Sequence, residues 1–419
     1  MTNDTKIMIL GAGIAGLGAA LKARETKRDY TVFETNKRAG GLLDNFVVEG
    51  FRFDNAVHLS FATEPKVREI FDRTDYYTHP PDAWNFYDGK WLKHPVQNNL
   101  FPLAASQKTS LIKSFLERPD SISDSYESWL RHQYGDLFAQ SFPIPYTKKY
   151  WDTEASELST TWVGNRMRRA ELEEILYGAF SSDTPNHYYA NEMRYPKRGG
   201  YRAFIENLID EAKIEYSHQA CLVDPIKKKV QFTNGKTIGY QTLISSVPLP
   251  VLTSMSNEVP DQIREAAGTL EATSIDLISV GFNKIIPRHL WFYIYDEDIL
   301  ASRVYSPSIK SPDNAPVGCS SLQFEVYSRG TQSNYEPRQL RENVVYALKK
   351  MQLASERDIL FLHHKHIAYG NVIFDKGMEG RRDLVRSFFS DHQISTIGRF
   401  GEWDYLWSNQ SFLSGYSSI

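Results

Sequence analysis

The chain has 419 residues, enough for two or three domains rather than one small core. Its 48 Lys and Arg against 51 Asp and Glu leave no basic field for nucleic acid or an anionic membrane, and no apolar run reaches the length of a membrane span. Cys221 and Cys319 are the only cysteines and form no motif, which argues against a disulfide scaffold or a zinc site; we expect no metal and a reducing, cytoplasmic setting.

Lys6–Leu10 reads as a short buried strand, and Gly11-Ala-Gly13-Ile-Ala-Gly16 follows it without a gap. An Ala/Leu-rich helix then extends to about Lys27, and Tyr30–Glu34 reads as a second strand. Strand, GxGxxG turn, helix, strand and terminal acid, in that order, make a dinucleotide-binding βαβ unit. Gly11 makes the tight turn, Gly13 lets backbone approach a pyrophosphate, and Gly16 lets helix and strand pack closely. The helix N-terminus faces the phosphate charge, and Glu34 is placed to accept hydrogen bonds from a ribose. A secretory leader is the competing reading, but no small-residue cleavage site follows and the run continues into a charged helix. Arg38-Ala-Gly40-Gly41-Leu42 and Gly50-Phe-Arg-Phe-Asp54 come next. Together these segments resemble the FAD-binding turn of the flavin amine oxidase-like superfamily, where the arginine and paired glycines lie along the flavin pyrophosphate and isoalloxazine. The resemblance implies FAD.

His58 follows the strand at Phe51–Asp54; a single histidine is most often a satisfied surface or core residue. Trp84–Tyr87 and Lys90–Leu92 flank Asp88-Gly89, a short hairpin signal, and His94–Asn99 reads as an irregular segment whose Gln97 and asparagines present amide donors and acceptors. Residues 107–140 are helical by pattern, interrupted at Pro119, with a capping box at Asp124-x-x-Glu127; a second helix-rich stretch covers 157–179. Tyr195–Tyr201 returns the chain to the nucleotide domain, with a helix over 202–212, short strands at 220–223 and 230–233, and a buried strand over Leu243–Pro248. Strands at 278–282, 290–295 and 319–324, a helix at 337–351 and a strand at 363–368 follow. The expected fold is therefore α/β. A Rossmann-like FAD-binding domain is built from 1–80, 191–265 and 396–419, with a helical substrate domain at 81–190 and an antiparallel sheet domain at 266–395.

The segments Asp88–Leu100, Pro145–Trp151, Trp162–Arg166 and Gly398–Gln410 carry a further resemblance, to the UDP-galactopyranose mutases. It implies that reduced flavin N5 attacks the anomeric carbon as the nucleoside diphosphate leaves, the ring opens and recloses through another hydroxyl, and the diphosphate returns. A departing diphosphate needs arginines with bidentate reach and tyrosine hydroxyls. The resemblance assigns these roles to Arg166, Arg303, Tyr369 and Tyr405, and puts His58 beside the flavin. It places Arg399, Asn409 and Gln410 near the cofactor with Gly11, Gly13, Gly16, Glu34, Arg38, Gly40, Gly41 and Leu42. His94, Gln97, Thr147 and Trp151 would meet the substrate. The family usually has two glycines before the histidine, and here they are Ala56 and Val57. The aromatic pair of the uridine loop becomes His94 and Val96, and Thr147 replaces an asparagine. A last flavin-side helix would only be starting at Ile419.

The resemblance thus implies a mutase acting on a nucleotide sugar in polysaccharide biosynthesis, with an external reductant for the flavin and a possible homodimer. A conventional flavin oxidase or dehydrogenase on the same scaffold is the alternative, and a FAD-retaining relative with a drifted site is the third reading.

Overall fold

A computed structural model describes residues 5–121, 123–164, 167–185, 192–286 and 289–419. The fold is the expected mixed α/β one, with a Rossmann-like sheet, a group of helices and a largely antiparallel second sheet. The first sheet runs Ala220–Asp224, Lys229–Phe232, Thr237–Ser245, Thr5–Leu10, Tyr30–Phe33, Ile214–Glu215, and Ile394–Thr396 pairs beside Thr237–Ser245. The pairings from Thr237–Ser245 across to Ile214–Glu215 are parallel, so these strands end at one edge, where the glycine turn sits. The final helix runs Ser408–Tyr416, further upstream than expected, and lies against the helix Ile14–Glu25. Small residues permit that approach: a Cβ on Gly18 would strike the Phe412 carbonyl, and one on Gly415 the Ala15 carbonyl.

The second sheet runs Ile359–Ile367, Thr273–Phe282, Ser320–Arg329, Arg303–Tyr305, Trp291–Ile294, Ala83–Tyr87, Lys90–Lys93. It is antiparallel except where Trp291–Ile294 meets Ala83–Tyr87, so the Asp88-Gly89 hairpin completes this sheet. Alternation decides its two faces. Ile278, Val280, Phe324 and Val326 bury against Leu340, Val344 and Ala347 of the helix Pro337–Lys350, while Gln323, Glu325 and Tyr327 point the other way, toward the nucleotide-binding unit.

The helical region departs from the expected pattern. The stretch 107–140 forms three helices, Ala105–Leu116, Tyr126–Tyr134 and Asp136–Ser141. Ser125 caps the second by accepting from Ser128 N at 3.2 Å, while Asp124 pairs with Lys376 at 3.0 Å. Pro143–Trp151 is helical because its proline stands in the first turn, where an N–H would have no intrahelical partner. Among the described residues of 157–179, the α-helix begins only at Leu172 and runs to Phe180; the Trp162 indole donates to the Ser159 carbonyl at 3.0 Å. The helix expected over 202–212 is a 3-10 turn, Tyr201–Ile205, followed by Glu206–Glu211. No described helix is long and apolar enough to cross a membrane.

Candidate functional site

The glycine turn is built as its spacing requires. Gly11 has φ +96°, and a Cβ on Gly16 would overlap the Gly11 carbonyl oxygen. Gly13 differs: its φ is −75°, and a Cβ there would meet only Gly41 Cα, at 4.0 Å. The protein's own atoms therefore do not require glycine at 13, which fits a ligand approaching that backbone. The helix that starts at Ile14 has no side-chain cap and no acid in its first turn, so its N-terminal N–H groups suit a phosphate. Gly40 N donates to the Ala12 carbonyl at 2.9 Å, drawing the paired glycines against the turn. These features fit a dinucleotide. The buried Glu34 carboxylate accepts from Ala12 N at 2.8 Å and Asn36 N at 2.9 Å, so it pins the turn. Arg38 points outward and pairs with Asp44 at 2.9 Å.

A cavity opens from this turn, with Gly40, Leu42, Ala56, Val57, His58, Tyr369, Asn371, Arg399, Tyr405 and Asn409 on its wall. The His58 Nδ1 lies 3.0 Å from the Ala56 carbonyl, and burial pushes its pKa down to about 4. Burial also takes His94 to about 4. Both rings are neutral through the physiological range. The unfolded rings bind protons below about 6.5, and the folded rings only near 4. Their contribution to stability is thus fully present above pH 6.5 and is lost as pH falls toward 4. Melting temperature is expected to fall over that window, and less steeply in His58→Gln, as a thermal-shift series will check.

Ala56 has φ +78°, so the glycine-type backbone persists although the residue has a side chain. Ala56→Gly is expected to raise stability by about 0.5–1 kcal/mol, read from the urea midpoint.

A second cavity of about 490 Å³, in the range of small-molecule sites, adjoins the first. The two share Tyr150, Tyr293, Arg303, Tyr405 and Trp407 on their walls. His94, Gln97, Thr147 and Trp151 line the second cavity. His94 Nδ1 sits 3.2 Å from Asn85 Oδ1, and the Thr147 hydroxyl is turned to the Pro143 carbonyl at 2.7 Å.

At the junction, Arg303 Nε donates to the wholly buried Glu325 at 2.6 Å, and its Nη2 donates to the Tyr327 hydroxyl at 3.2 Å. Burial works against the Arg303 charge, and the Glu325 carboxylate more than offsets it, holding the guanidinium well above its ordinary pKa. The Tyr150 and Tyr405 hydroxyls lie 3.3 Å apart. Asn371 Oδ1 accepts from Tyr150 at 3.4 Å, while Asn371 Nδ2 and the Trp151 indole N–H are buried donors without partners among the described residues. Arg399 donates to the Leu406 carbonyl at 2.9 Å and stacks on Tyr405, with 5.1 Å to the ring centroid.

The structure thus brings His58, Arg303, Tyr369, Tyr405, Arg399 and Asn409 to one cavity system with the glycine turn. Gln410 is not on either wall; its side-chain oxygen accepts from Trp407 N at 2.9 Å and caps the final helix. Arg166 lies outside the described residues. Sequence reading missed Glu325, Tyr327, Asn371 and Tyr150. The signal for the first two was Gln323-Phe-Glu325-Val-Tyr327, polar residues at every second position of an apolar strand.

A sequence profile of the NAD(P)-binding Rossmann-like domain matches residues 9–74. Protoporphyrinogen oxidase 2 of Arabidopsis thaliana is 33% identical over 67 residues, 16% of this chain and only 13% of that protein. Among solved structures, reduced UDP-galactopyranose mutase superposes with a TM-score of 0.92 at 25% identity, covering 99% of this chain and 94% of that one. Cyclohexylamine oxidase from Brevibacterium oxydans superposes with a TM-score of 0.68 at 13% identity, covering 99% and 98%.

Proposed function

We propose that this chain, which has the fold of UDP-galactopyranose mutase and a dinucleotide-binding Rossmann-like domain, is a FAD-dependent sugar-nucleotide mutase that interconverts pyranose and furanose forms. The observation that carries the reading is the junction of the two cavities, whose shared wall holds Arg303, Tyr150 and Tyr405. A guanidinium and phenol hydroxyls on a shared cavity wall call for a ligand rich in acceptor oxygens, as a sugar diphosphate is.

Reduced flavin would supply the nucleophile for the anomeric carbon. Gly11, Gly13, Gly16, Glu34, Gly40, Gly41, Leu42, Arg399 and Asn409 would hold the cofactor, its pyrophosphate at the N-terminus of the helix Ile14–Glu25. Arg303, Tyr369 and Tyr405, joined by Arg166, retain the diphosphate after it leaves the sugar, so that it can return. The neutral His58 offers hydrogen bonding beside the cofactor without adding charge. Trp151, Gln97, His94 and Thr147 border the sugar and base. The partners are a nucleotide sugar and an external reductant, with a possible homodimer; the setting is cytoplasmic polysaccharide synthesis.

The oxidase reading draws on the likeness to cyclohexylamine oxidase. An oxygen electrode separates the two. With a panel of amines the mutase reading expects no uptake beyond slow flavin reoxidation, and sustained amine-dependent uptake would establish the oxidase.

A further inference from the structure

We infer that Glu325 is a positioning residue that couples an anion bound at Arg303 to the backbone turn at the cofactor edge. The inference rests on the mutase reading in that it takes a diphosphate to dock at Arg303. Glu325 is completely buried. One of its oxygens accepts from Val57 N at 2.8 Å, and the other from Arg303 Nε at 2.6 Å and the Tyr327 hydroxyl at 3.0 Å. A single carboxylate therefore joins the guanidinium shared by both cavities to the residue between Ala56 and His58.

An arriving anion competes with Glu325 for the Arg303 N–H groups. A buried carboxylate deprived of a charged donor has no water to turn to, so its remaining bonds, to Val57 N–H and Tyr327 O–H, must tighten. The turn is the part able to respond, because Ala56 is held at φ +78°, where a side chain is strained. Val57 and His58 both line the cofactor cavity, so movement of the turn reaches the flavin environment. Coupling of this kind is reciprocal: whatever an anion does to the flavin, the flavin's redox state does to anion affinity.

The test is calorimetric titration of the holoprotein with inorganic pyrophosphate, in the oxidised and dithionite-reduced states, with the flavin absorption spectrum and midpoint potential recorded alongside. The wild-type protein is expected to bind pyrophosphate with affinities differing by about fivefold or more between the two states, and to show a shifted potential. Glu325→Gln keeps an acceptor for Val57 N but loses the charge that answers Arg303, and is expected to erase both the affinity difference and the shift while retaining flavin. If that variant does not hold flavin, Glu325→Asp keeps the charge but is one methylene too short to span Arg303 and Val57, and is expected to show the same loss. Equal affinities in the wild-type protein, or an undiminished difference in the variant, overturn the coupling alone. Failure of the wild-type protein to bind pyrophosphate in either state overturns the mutase reading beneath it as well.

Discussion

Arg303→Ala is expected to remove most nucleotide-sugar turnover and to cost about 3–5 kcal/mol of stability, the usual penalty for orphaning one member of a buried ion pair. Glu325 has no exposure, and after truncation its charge would be served, among the described residues, by Val57 N–H and the Tyr327 hydroxyl. Loss of activity in this variant alone would therefore prove little. The informative protein is Arg303→Ala/Glu325→Gln, in which the stranded charge is gone. Urea denaturation is expected to show most of the stability recovered, while turnover stays down by roughly 100-fold or more, because the diphosphate still lacks its guanidinium. Recovery of both together would make Arg303 a structural cation.

Gly13→Ala is expected to strip the flavin while leaving the flavin-free fold nearly unchanged, within about 1 kcal/mol. The left-handed backbone that demands glycine is at Gly11 and not at Gly13, and the alanine methyl finds only Gly41 Cα, at 4.0 Å. What it obstructs is the approach of a pyrophosphate to the turn. Gly16→Ala makes the contrast, since its methyl overlaps the Gly11 carbonyl and forces the helix off the strand, with an expected loss of about 1–3 kcal/mol even without cofactor. The ratio of flavin to protein absorbance, with melting of the stripped proteins, checks both. Full flavin retention in Gly13→Ala would put the pyrophosphate elsewhere.

These contrasts show where the sequence was legible. Strand, GxGxxG, helix and strand followed one another with periods that nothing else explains, and the structure has Thr5–Leu10, Ile14–Glu25 and Tyr30–Phe33 there. The hairpin around Asp88-Gly89 was equally plain, but its place in the second sheet was not, because partner strands are chosen by tertiary packing rather than by turn chemistry. The helix Pro143–Trp151 was hidden by prolines that read as breakers unless they fall in a first turn. The site was half visible. Arg303, Tyr369 and Tyr405 were found through family likeness, and the cavity wall holds all three. Glu325 was not, because its partners Arg303 and Val57 are 22 and 268 residues away in sequence, and only the sheet register with the 51–58 segment packed against it brings them together.

The most direct measurement is to reduce the FAD-loaded protein with dithionite, add UDP-galactose and a panel of other nucleotide hexoses and deoxyhexoses, quench with cyanoborohydride, and weigh the released flavin. The account predicts a flavin heavier by one sugar for at least one of them, which would also identify the sugar class. Unmodified flavin across the whole panel would contradict it and return the chain to the oxidase reading or to that of a flavoprotein whose site has drifted.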